Sequence, residues 1–353
     1  MDTGSDIIQS DDSILLTGAS GFIGLRVLDR LLDRGYRRVR CITRPSADFQ
    51  RLNQVIRRHG AGDCVDVMTG NLLSAEDCSR ATMDVTLIYH LAAGRSDMFA
   101  DAYMNSVVTT RNLLEATLRH GALKRFVNVS SFSVYSNRNK AKRRLLDESC
   151  PIETAPAERG EPYMYGKAKQ DDIVTQYGKQ YGIPYVIVRP GYVYGPGNET
   201  ITNRVGIATF GLFLHLGGSN PIPLTYVDNC ADAIVLAGLR PGVDGEVFNV
   251  VDDDLPSSRC FLRLYKKNVR RFRSVYLPHL ISYLLCCLWE KYSHWSEGQL
   301  PPAFNSSGWH AFWKKTRYTN GKLKGRLGWS PTVPTQEALN RYFKSCMEKA
   351  RHA

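Results

Sequence analysis

The chain has 353 residues, of which 43% are hydrophobic, so it is long enough for one large α/β unit with a smaller lobe. Its formal charge is +12, but the basic residues are spread along the chain without a nucleic-acid recognition motif, which favours a solvated surface over nucleic-acid binding. The nine cysteines show no paired metal-ligand spacing and do not suit a disulfide framework, so we predict no metal site and a cytoplasmic compartment.

The first 12 residues form a polar N-terminal tail that lacks the apolar stretch of a signal peptide. The longest apolar run, Leu277 to Trp289, is shorter than the roughly 20 residues that a bilayer span needs. We therefore predict no transmembrane segment. The run itself could be a core helix, a substrate lid or a membrane-surface contact.

Short apolar runs alternate with helical patterns, which predicts a Rossmann-type, doubly wound parallel sheet of the α/β class. The predicted strands are Ser13–Leu16, Val39–Thr43, Val65–Met68, Leu87–His90, Phe126–Val129, Tyr185–Val188 and Val247–Val250. From about Gly195 the pattern becomes irregular, and after Asp252 it turns aromatic and basic. We predict a Rossmann domain over 13–195, to which 225–252 return. A smaller, partly interleaved C-terminal substrate lobe is predicted from 196–224 and 253–345.

A glycine-rich turn, TGASGFIG at 17–24, joins the first strand to a helix. The chain must turn tightly at Gly18, admit a dinucleotide near Gly21, and let helix and strand approach at Gly24. Free amides at the helix N-terminus would meet the pyrophosphate charge. No Gly-Lys-Ser/Thr follows, which disfavours an ATP-type loop. We predict a nicotinamide dinucleotide in contact with Gly18, Ser20, Gly21, Phe22, Ile23 and Gly24.

Cofactor choice depends on Arg44, which follows the second strand where an acid would bind the ribose of NAD. A guanidinium can form two hydrogen bonds to a 2′-phosphate, whereas a carboxylate would repel it. We therefore predict NADP as the preferred cofactor, with NAD as the alternative. The competing interpretation is that Arg44 is an ordinary surface arginine.

Further motifs follow in order along the chain. They are Gly70-Asn71-Leu72, His90-Leu91-Ala92-Ala93, Asn105 with Thr110 to Ala116, VSSFSVY at 129–135, Tyr163-xxx-Lys167, RPGYVYGPG at 189–197 and YVDN at 226–229. With the glycine turn, they resemble the extended short-chain dehydrogenase/reductase family. That family includes the NAD-dependent epimerase/dehydratase, 3β-hydroxysteroid dehydrogenase-like and dihydroflavonol reductase-like groups.

The resemblance implies that Ser131, Tyr163 and Lys167 form the catalytic set. Tyr163 and Lys167 are four residues apart, so they share a helix face on which the ammonium favours the tyrosinate and can bind the nicotinamide ribose. Hydride transfer at a carbon that bears oxygen requires a proton to move the other way. Ser131, rather than Ser130 or Ser133, aligns with the position that holds the substrate oxygen.

The same spacing recurs two residues later, at Tyr165 and Lys169. We favour the first pair because Asp171 lies one turn after Lys167, as the glutamate does in the family's Tyr-x-x-Ser-Lys-x-x-x-Glu pattern. Gly166 replaces the serine of that pattern.

The resemblance also implies cofactor contacts in four other segments. These are Asn71 near the adenine with Leu72 beside it, Ala92 and Ala93 along the dinucleotide, Asn105 in a supporting role, and Pro190 and Val193 beside the nicotinamide.

The family catalyses several reactions, and two segments discriminate among them. Family dehydratases carry an acid pair where this chain has Phe132 and Ser133, so dehydration is disfavoured. No cation in 220–225 could hold a nucleotide-sugar diphosphate before YVDN.

We predict an NAD(P)-dependent oxidoreductase that acts on an alcohol or ketone carbon of a small, partly apolar substrate, with Tyr163 as general acid/base. A nucleotide-sugar epimerase with tightly bound NAD is one alternative, and a non-catalytic dinucleotide-binding sensor or scaffold is another. Homodimerisation is implied by the resemblance alone.

Overall fold

Strands and helices alternate through the residues that the computed structural model describes, which are 6–46, 48–94, 96–138, 144–209, 211–296, 299 and 304–352. The strands are β1 (Ile14–Thr17), β2 (Val39–Thr43), β3 (Val65–Thr69), β4 (Leu87–His90), β5 (Arg125–Val129), β6 (Leu145–Leu146), β7 (Tyr185–Pro190), β8 (Tyr192–Tyr194), β9 (Gly206–Thr209), β10 (Leu212–His215), β11 (Leu224–Tyr226), β12 (Val247–Val250), β13 (Ser274–Tyr276) and β14 (Arg317–Tyr318).

The helices separate most of these strands. They are α1 (Phe22–Asp33), α2 (Gln50–Arg58), α3 (Ala75–Thr82), α4 (Phe99–Ala102), α5 (Thr109–His120), α6 (Pro162–Tyr181), α7 (Val227–Leu239), α8 (Ser258–Asn268), α9 (His279–Trp295), α10 (Ser306–Phe312), α11 (Gly321–Leu327) and α12 (Thr335–His352). A π-helical segment, Tyr103–Val108, joins α4 to α5 in one continuous helical stretch.

The central sheet has seven parallel strands in the order β3-β2-β1-β4-β5-β7-β12. It contains all seven strands that the apolar runs predict, and the predicted Rossmann-type fold is confirmed. The strands read as continuous apolar runs because both faces of a parallel sheet are covered by helices. The order reverses between β1 and β4, and in such sheets ligands bind at the carboxyl ends of the strands at this point.

Two layers of helices cover this sheet. Helices α1 and α7 contribute to the large core on one face, whereas α3, α5 and α6 contribute to the core on the other. Helix α7 is buried at nearly every position from Val227 to Leu239. These layers leave the carboxyl edge of the sheet to the loops that carry most of the predicted site residues.

Short strands outside the central sheet build the rest of the described structure. Strand β8 pairs with β11, and β9, β10 and β13 form a separate three-stranded sheet. Helices α8 and α12 enclose a second apolar core that includes Tyr194, Phe261 and Tyr342. None of the helices in the described ranges combines the length and hydropathy that a transmembrane span requires.

The structure separates the two lobes less sharply than the sequence pattern predicts. Leu323, Leu327 and Trp329, which the sequence places in the C-terminal lobe, are buried in the large core of the Rossmann sheet. In the N-terminal tail Ile8 is buried in that core, while residues 1–5 lie outside the described residues. The domain bounds therefore stay a prediction.

Candidate active site

The glycine turn between β1 and α1 has the geometry of an anion site. Gly18 lies in the left-handed region at φ +70°, and the amide of Gly21 donates to its carbonyl at 3.0 Å. A Cβ on Gly24 would lie 2.1 Å from that carbonyl oxygen, so only glycine allows this approach of helix to turn. No side chain caps the N-terminus of α1, which leaves its amides to an anionic group. The residues present fit a dinucleotide pyrophosphate.

The hydroxyl of Thr17 holds this turn against the end of β4. Its Oγ1 accepts hydrogen bonds from the amides of Leu91 and Ala92, both at 3.2 Å. A Cβ on Gly18 would lie 3.1 Å from the Ala92 nitrogen, so the turn and this segment are in close contact. Ala92 and Ala93 are half-buried, and their contact with the cofactor stays a prediction.

Arg44 and Asn71 follow β2 and β3 at the same carboxyl edge, and both are exposed. The side-chain oxygen of Asn71 accepts from the amide of Leu73 at 3.0 Å, which fixes its orientation. Leu72 is instead mostly buried and belongs to the core under α3 and α5.

A loop from the smaller lobe covers the start of α1. Gly197, at φ +108°, would carry a Cβ only 3.1 Å from the Phe22 ring, so ring and loop are in contact. Arg51 of α2 reaches the same place, with Nη1 3.8 Å from that Cβ position. The sequence reasoning missed Arg51.

The predicted nicotinamide end is lined by separate elements. Pro190 ends β7 and is buried, and Val193 lies half-buried in β8. Asn105 lies in the π-helical segment, where its side chain donates to the Asp101 carbonyl at 3.0 Å. A Cβ on Gly166 would lie 3.0 Å from the Ala102 carbonyl oxygen, so the glycine lets α6 approach this helical stretch.

Lys167 lies on α6 with only 3% of its surface exposed. Its Nζ donates to the carbonyl of Val129 at 2.5 Å and to Oε1 of Gln170 at 2.8 Å. Val129 is the last residue of β5, two residues before Ser131, so the lysine is held at the end of the strand that leads to the predicted serine. Tyr163 is half-buried one turn earlier on the same helix.

The competing pair has a different environment. Lys169 is half-buried with 41% of its side chain exposed, and it forms an ion pair with Asp172 at 3.3 Å. The ring of Tyr165 contacts those of Phe99 and Tyr103, with centroids 5.4 and 6.4 Å apart. A buried ammonium thus occurs at Lys167 and not at Lys169.

Two adjacent serines at the end of β5 have different partners. Ser131 is half-buried, and its Oγ accepts from the amide of Ser133 at 3.2 Å. Ser130 is buried and donates to Oδ2 of Asp171 at 2.8 Å. Ser130 is therefore a core hydroxyl with a partner, which leaves Ser131 as the serine at the sheet edge.

A buried ion pair fixes α6 to the sheet. The guanidinium of Arg189 lies 3.0 Å from Oδ2 of Asp171, and Asn128 donates to the other carboxylate oxygen at 2.9 Å. Burial raises the pKa of Asp171, and the charge of Arg189 opposes that shift. The family pattern had marked Asp171, but nothing in the sequence indicated its partner on β7.

A chain of hydrogen bonds connects the glycine turn to Lys167. Thr17 Oγ1 lies 2.8 Å from His90 Nδ1, His90 Nε2 lies 2.9 Å from Thr110 Oγ1, and Gln170 Nε2 donates to Thr110 at 2.8 Å. Gln170 then accepts from Lys167. Burial and the nearby Lys167 charge lower the pKa of His90 to about 3, so the ring is neutral.

The position of the imidazole proton follows from the other bonds of Thr110. Its hydroxyl donates to the Ser106 carbonyl at 2.5 Å, so it must accept from both His90 and Gln170. Nε2 of His90 therefore carries the proton, and Nδ1 accepts from Thr17. The sequence had placed His90 and Thr110 in motifs, but Gln170 in none.

Comparison with known proteins identifies the family. The sequence model of the NAD-dependent epimerase/dehydratase family matches residues 14–250. The chain belongs to this family. The extended short-chain dehydrogenase/reductase resemblance is thereby confirmed, and relatives in the family include NAD(P)-dependent oxidoreductases, epimerases and dehydratases.

Three relatives illustrate the range of this family. A UDP-glucose 4-epimerase of Mycolicibacterium smegmatis is 30% identical over 67% of this chain and 76% of its own. A 3beta-hydroxysteroid-dehydrogenase/decarboxylase of Arabidopsis thaliana is 23% identical over 96% of this chain and 81% of its own. A trifunctional UDP-glucose 4,6-dehydratase/epimerase/reductase of the same plant is 28% identical over 67% of this chain, which spans only 36% of that protein.

Solved structures of the family share the fold. UDP-glucuronic acid 4-epimerase of Bacillus cereus, in complex with NAD, superposes with a TM-score of 0.70 at 22% identity, covering 96% of this chain and 99% of its own. The dTDP-glucose 4,6-dehydratase of Streptomyces venezuelae, with NAD bound, gives the same TM-score at 21% identity, covering 96% and 98%.

A buried arginine beside Ser133 is a further feature that the sequence reasoning missed. Nη1 of Arg159 donates to the Ser133 carbonyl at 2.7 Å, and Nε lies 3.1 Å from Glu161. The guanidinium lies over the Phe312 ring, 5.4 Å from its centroid, and Arg204 lies 5.5 Å from the same centroid. Within the described residues, Nη2 of Arg159 and Oγ of Ser133 are buried without a hydrogen-bond partner.

Proposed function

We propose that this family member is an NAD(P)-dependent oxidoreductase that transfers a hydride between nicotinamide C4 and an alcohol or ketone carbon of a small, partly apolar substrate. The observation that carries the proposal is the buried Lys167 ammonium, held against the end of β5 beside Ser131 and one turn from Tyr163. A buried charge is costly unless it is hydrogen-bonded, and here it is held by two oxygens.

Each member of the proposed catalytic set has one task. The cofactor, when bound, accepts or supplies the hydride. Tyr163 passes its hydroxyl proton to the substrate oxygen in reduction and takes it back in oxidation. Lys167 favours the tyrosinate by its positive charge, and the Ser131 hydroxyl donates a hydrogen bond to the substrate oxygen.

Simple redox chemistry is favoured by the residues around Ser131. Phe132 is buried in an apolar cluster with Tyr135, so no acid from this position reaches the substrate for dehydration. The second candidate is a nucleotide-sugar epimerase that retains NAD, and the relationship to the UDP-glucose 4-epimerase favours it.

NADP is the proposed cofactor. Arg44 is exposed directly after β2, where the adenosine ribose of a dinucleotide on the glycine turn would lie. Arg51 adds a second positive charge near the same turn. NAD remains the alternative, in keeping with the NAD-bound structural neighbours.

We also propose a small-molecule substrate, no nucleic-acid partner, a homodimer and a cytoplasmic location. Support for a reducing compartment comes from the nine cysteines, all of them in the described part of the chain, which form no disulfide.

The test is a comparison of two matched pairs of variants. Tyr163→Phe and Lys167→Met should each lower the rate of NADPH-dependent reduction of a ketone panel by at least about 100-fold, because acid/base catalysis is worth roughly that much. Tyr165→Phe and Lys169→Met should stay within about twofold of the parent enzyme.

Equal losses from both pairs, or full activity of Tyr163→Phe, would show that the assignment is wrong. Conversion of UDP- or GDP-sugars without net cofactor change would establish the epimerase instead. Dinucleotide binding without turnover of either substrate class would indicate the sensor or scaffold.

A further inference from the structure

Helix α9 has most of its large apolar side chains on the outside. The residues that it buries include Ser282 and Ser293, which are small and polar, with Cys286 between them. The opposite face is largely apolar and open to solvent, with 70% of Leu280, 63% of Leu288 and 77% of Trp295 exposed, and α9 also exposes Lys291 and His294. The exposed apolar side chains of this helix are Leu280, Ile281, Leu284, Leu285, Leu288, Tyr292 and Trp295. This polarity is the reverse of a surface helix in a water-soluble enzyme.

The exposed face continues into β13. Val275 and Tyr276 are exposed just before α9 begins, and we call these two residues together with the exposed apolar side chains of α9 the α9 face. The inner side of α9 is already packed on Trp309 and Trp313. Turning the helix inward would therefore not hide the leucines. Exposed apolar surfaces of this size mark interaction sites.

A strongly basic segment borders the α9 face. Residues 255–274, which precede the α9 face in the chain, contain seven lysines and arginines and no aspartate or glutamate. Six of the seven are exposed, and within the described residues none of these six forms an ion pair. They are Arg259, Arg263, Lys267, Arg270, Arg271 and Arg273. The Arg259 guanidinium lies 5.3 Å from the centre of the Tyr276 ring, which joins the basic segment to the apolar face.

We propose that the α9 face docks the protein on the surface of an anionic membrane. The exposed leucines would enter the boundary between headgroups and acyl chains, with α9 lying in the membrane plane, while the basic segment binds lipid phosphates. Tyr292 and Trp295, at the end of the helix, are the residue types that prefer the membrane interface. This inference does not depend on the proposed reaction.

Charge favours a membrane over a second copy of the chain as the occupant. A symmetric dimer through the α9 face would bring two basic segments towards each other, and like charges across an interface are repulsive. Anionic lipids offer the opposite charge over an extended surface. With 17 residues, α9 is about 25 Å long, which suits lying along the surface.

Flotation of the full chain with lipid vesicles tests the proposal. The protein should float with vesicles of phosphatidylcholine and phosphatidylglycerol, and at least about tenfold less with phosphatidylcholine alone. Leu280→Glu with Leu288→Glu should lower the apparent affinity at least about tenfold, because each substitution removes a leucine that the membrane would bury. The matched control is Met83→Glu with Leu118→Glu, two exposed apolar residues elsewhere, which should leave binding unchanged.

A second matched pair, of two triple variants, tests the contribution of the basic residues to membrane binding. Arg270→Gln, Arg271→Gln and Arg273→Gln together should weaken binding by roughly fivefold for each arginine and flatten its salt dependence. Arg34→Gln, Arg37→Gln and Arg38→Gln remove the same charge elsewhere and should have little effect. Far-ultraviolet circular dichroism and dinucleotide binding establish that each variant is folded.

Two results would overturn the proposal. One is equal flotation of the parent protein and the Leu280→Glu, Leu288→Glu variant. The other is no flotation at all, together with a dimer in sedimentation velocity that this variant converts to a monomer, which would assign the α9 face to a second copy.

Discussion

The amine of Lys167 lies 2.8 Å from the side-chain oxygen of Gln170, three residues further along α6. The side-chain amide of Gln170 cannot rotate by 180° freely, since its nitrogen donates to Thr110 at 2.8 Å. Its oxygen is thus directed at the lysine. Gln170 is a positioning residue that acts on the substrate only through Lys167.

Two substitutions of Gln170 distinguish its role in positioning Lys167 from the effect of the charge beside that amine. Gln170→Met removes the bond to the lysine, and we expect kcat to fall about tenfold with KM for the ketone little changed. Gln170→Glu puts a carboxylate beside the amine and offsets the charge that favours the tyrosinate, so the pH–rate profile should move to more alkaline pH. A purely structural glutamine would give lower stability in both variants without any displacement of the profile.

Arg44→Asp should change cofactor selection. Loss of charge-assisted hydrogen bonds to a 2′-phosphate costs roughly 1.5–3 kcal/mol, so the Kd for NADPH should rise by at least about tenfold. The Kd for NADH should change by less than about twofold, as measured by fluorescence titration. Arg57→Asp, at the exposed end of α2, is the control. Equal weakening of both cofactors by Arg44→Asp would contradict the 2′-phosphate contact.

Gly24→Ala should destabilise the fold where the helix approaches the glycine turn. The new Cβ would lie 2.1 Å from a backbone oxygen and 2.9 Å from the Ala19 Cα, so the backbone must move at a cost of about 1–3 kcal/mol. Gly325→Ala in α11 is the matched control, because its Cβ meets open space and alanine favours helix. Urea unfolding measures both. A Gly24→Ala variant as stable as the parent would show that the close approach is not needed.

His90 should make the fold sensitive to acid. Its pKa is about 3 in the fold and ~6.5 in the unfolded chain, so between these values the unfolded chain binds the proton and the fold does not. Stability therefore rises with pH in this window. A fall from pH 7 to pH 5 should therefore lower the free energy of unfolding by about 2 kcal/mol through His90.

The measurement is urea unfolding of the parent and of His90→Gln at both pH values. The variant is expected to be less stable at pH 7, because its bonds to Thr17 and Thr110 are disturbed, but to lose about 2 kcal/mol less on acidification. The same acid dependence in both proteins would assign the effect to other groups.

The sequence predicted the sheet well because each parallel strand is a short apolar run covered on both faces. The predicted run Ser13–Leu16 became Ile14–Thr17, and Tyr185–Val188 continues to Pro190, which are shifts at the ends only. The sequence predicted the glycine turn equally well, because the left-handed backbone of Gly18 and the close approach of Gly24 to the Gly18 carbonyl are both local features.

The sequence did not predict the side-chain pairs that form between residues far apart in the chain. The partner of Asp171 is Arg189 on a different strand, and Gln170 meets Thr110 across 60 residues of sequence. Nothing in the local pattern selects these partners. The apolar run from Leu277 showed where α9 would form, but which face it exposes depends on Trp309, which follows it in the chain.

The contact of Gly197 with the Phe22 ring has a kinetic consequence. Phe22 begins α1 directly after the glycine turn, so a dinucleotide bound on that turn would lie next to this loop, and its exchange with solvent would require the loop to separate from α1. A reductase must make that separation once in every catalytic cycle, whereas an enzyme that regenerates its own cofactor never needs it. Slow separation of the loop from the Phe22 ring would then limit the turnover of a reductase. In an enzyme that regenerates its own cofactor, the same slow separation would keep the cofactor bound.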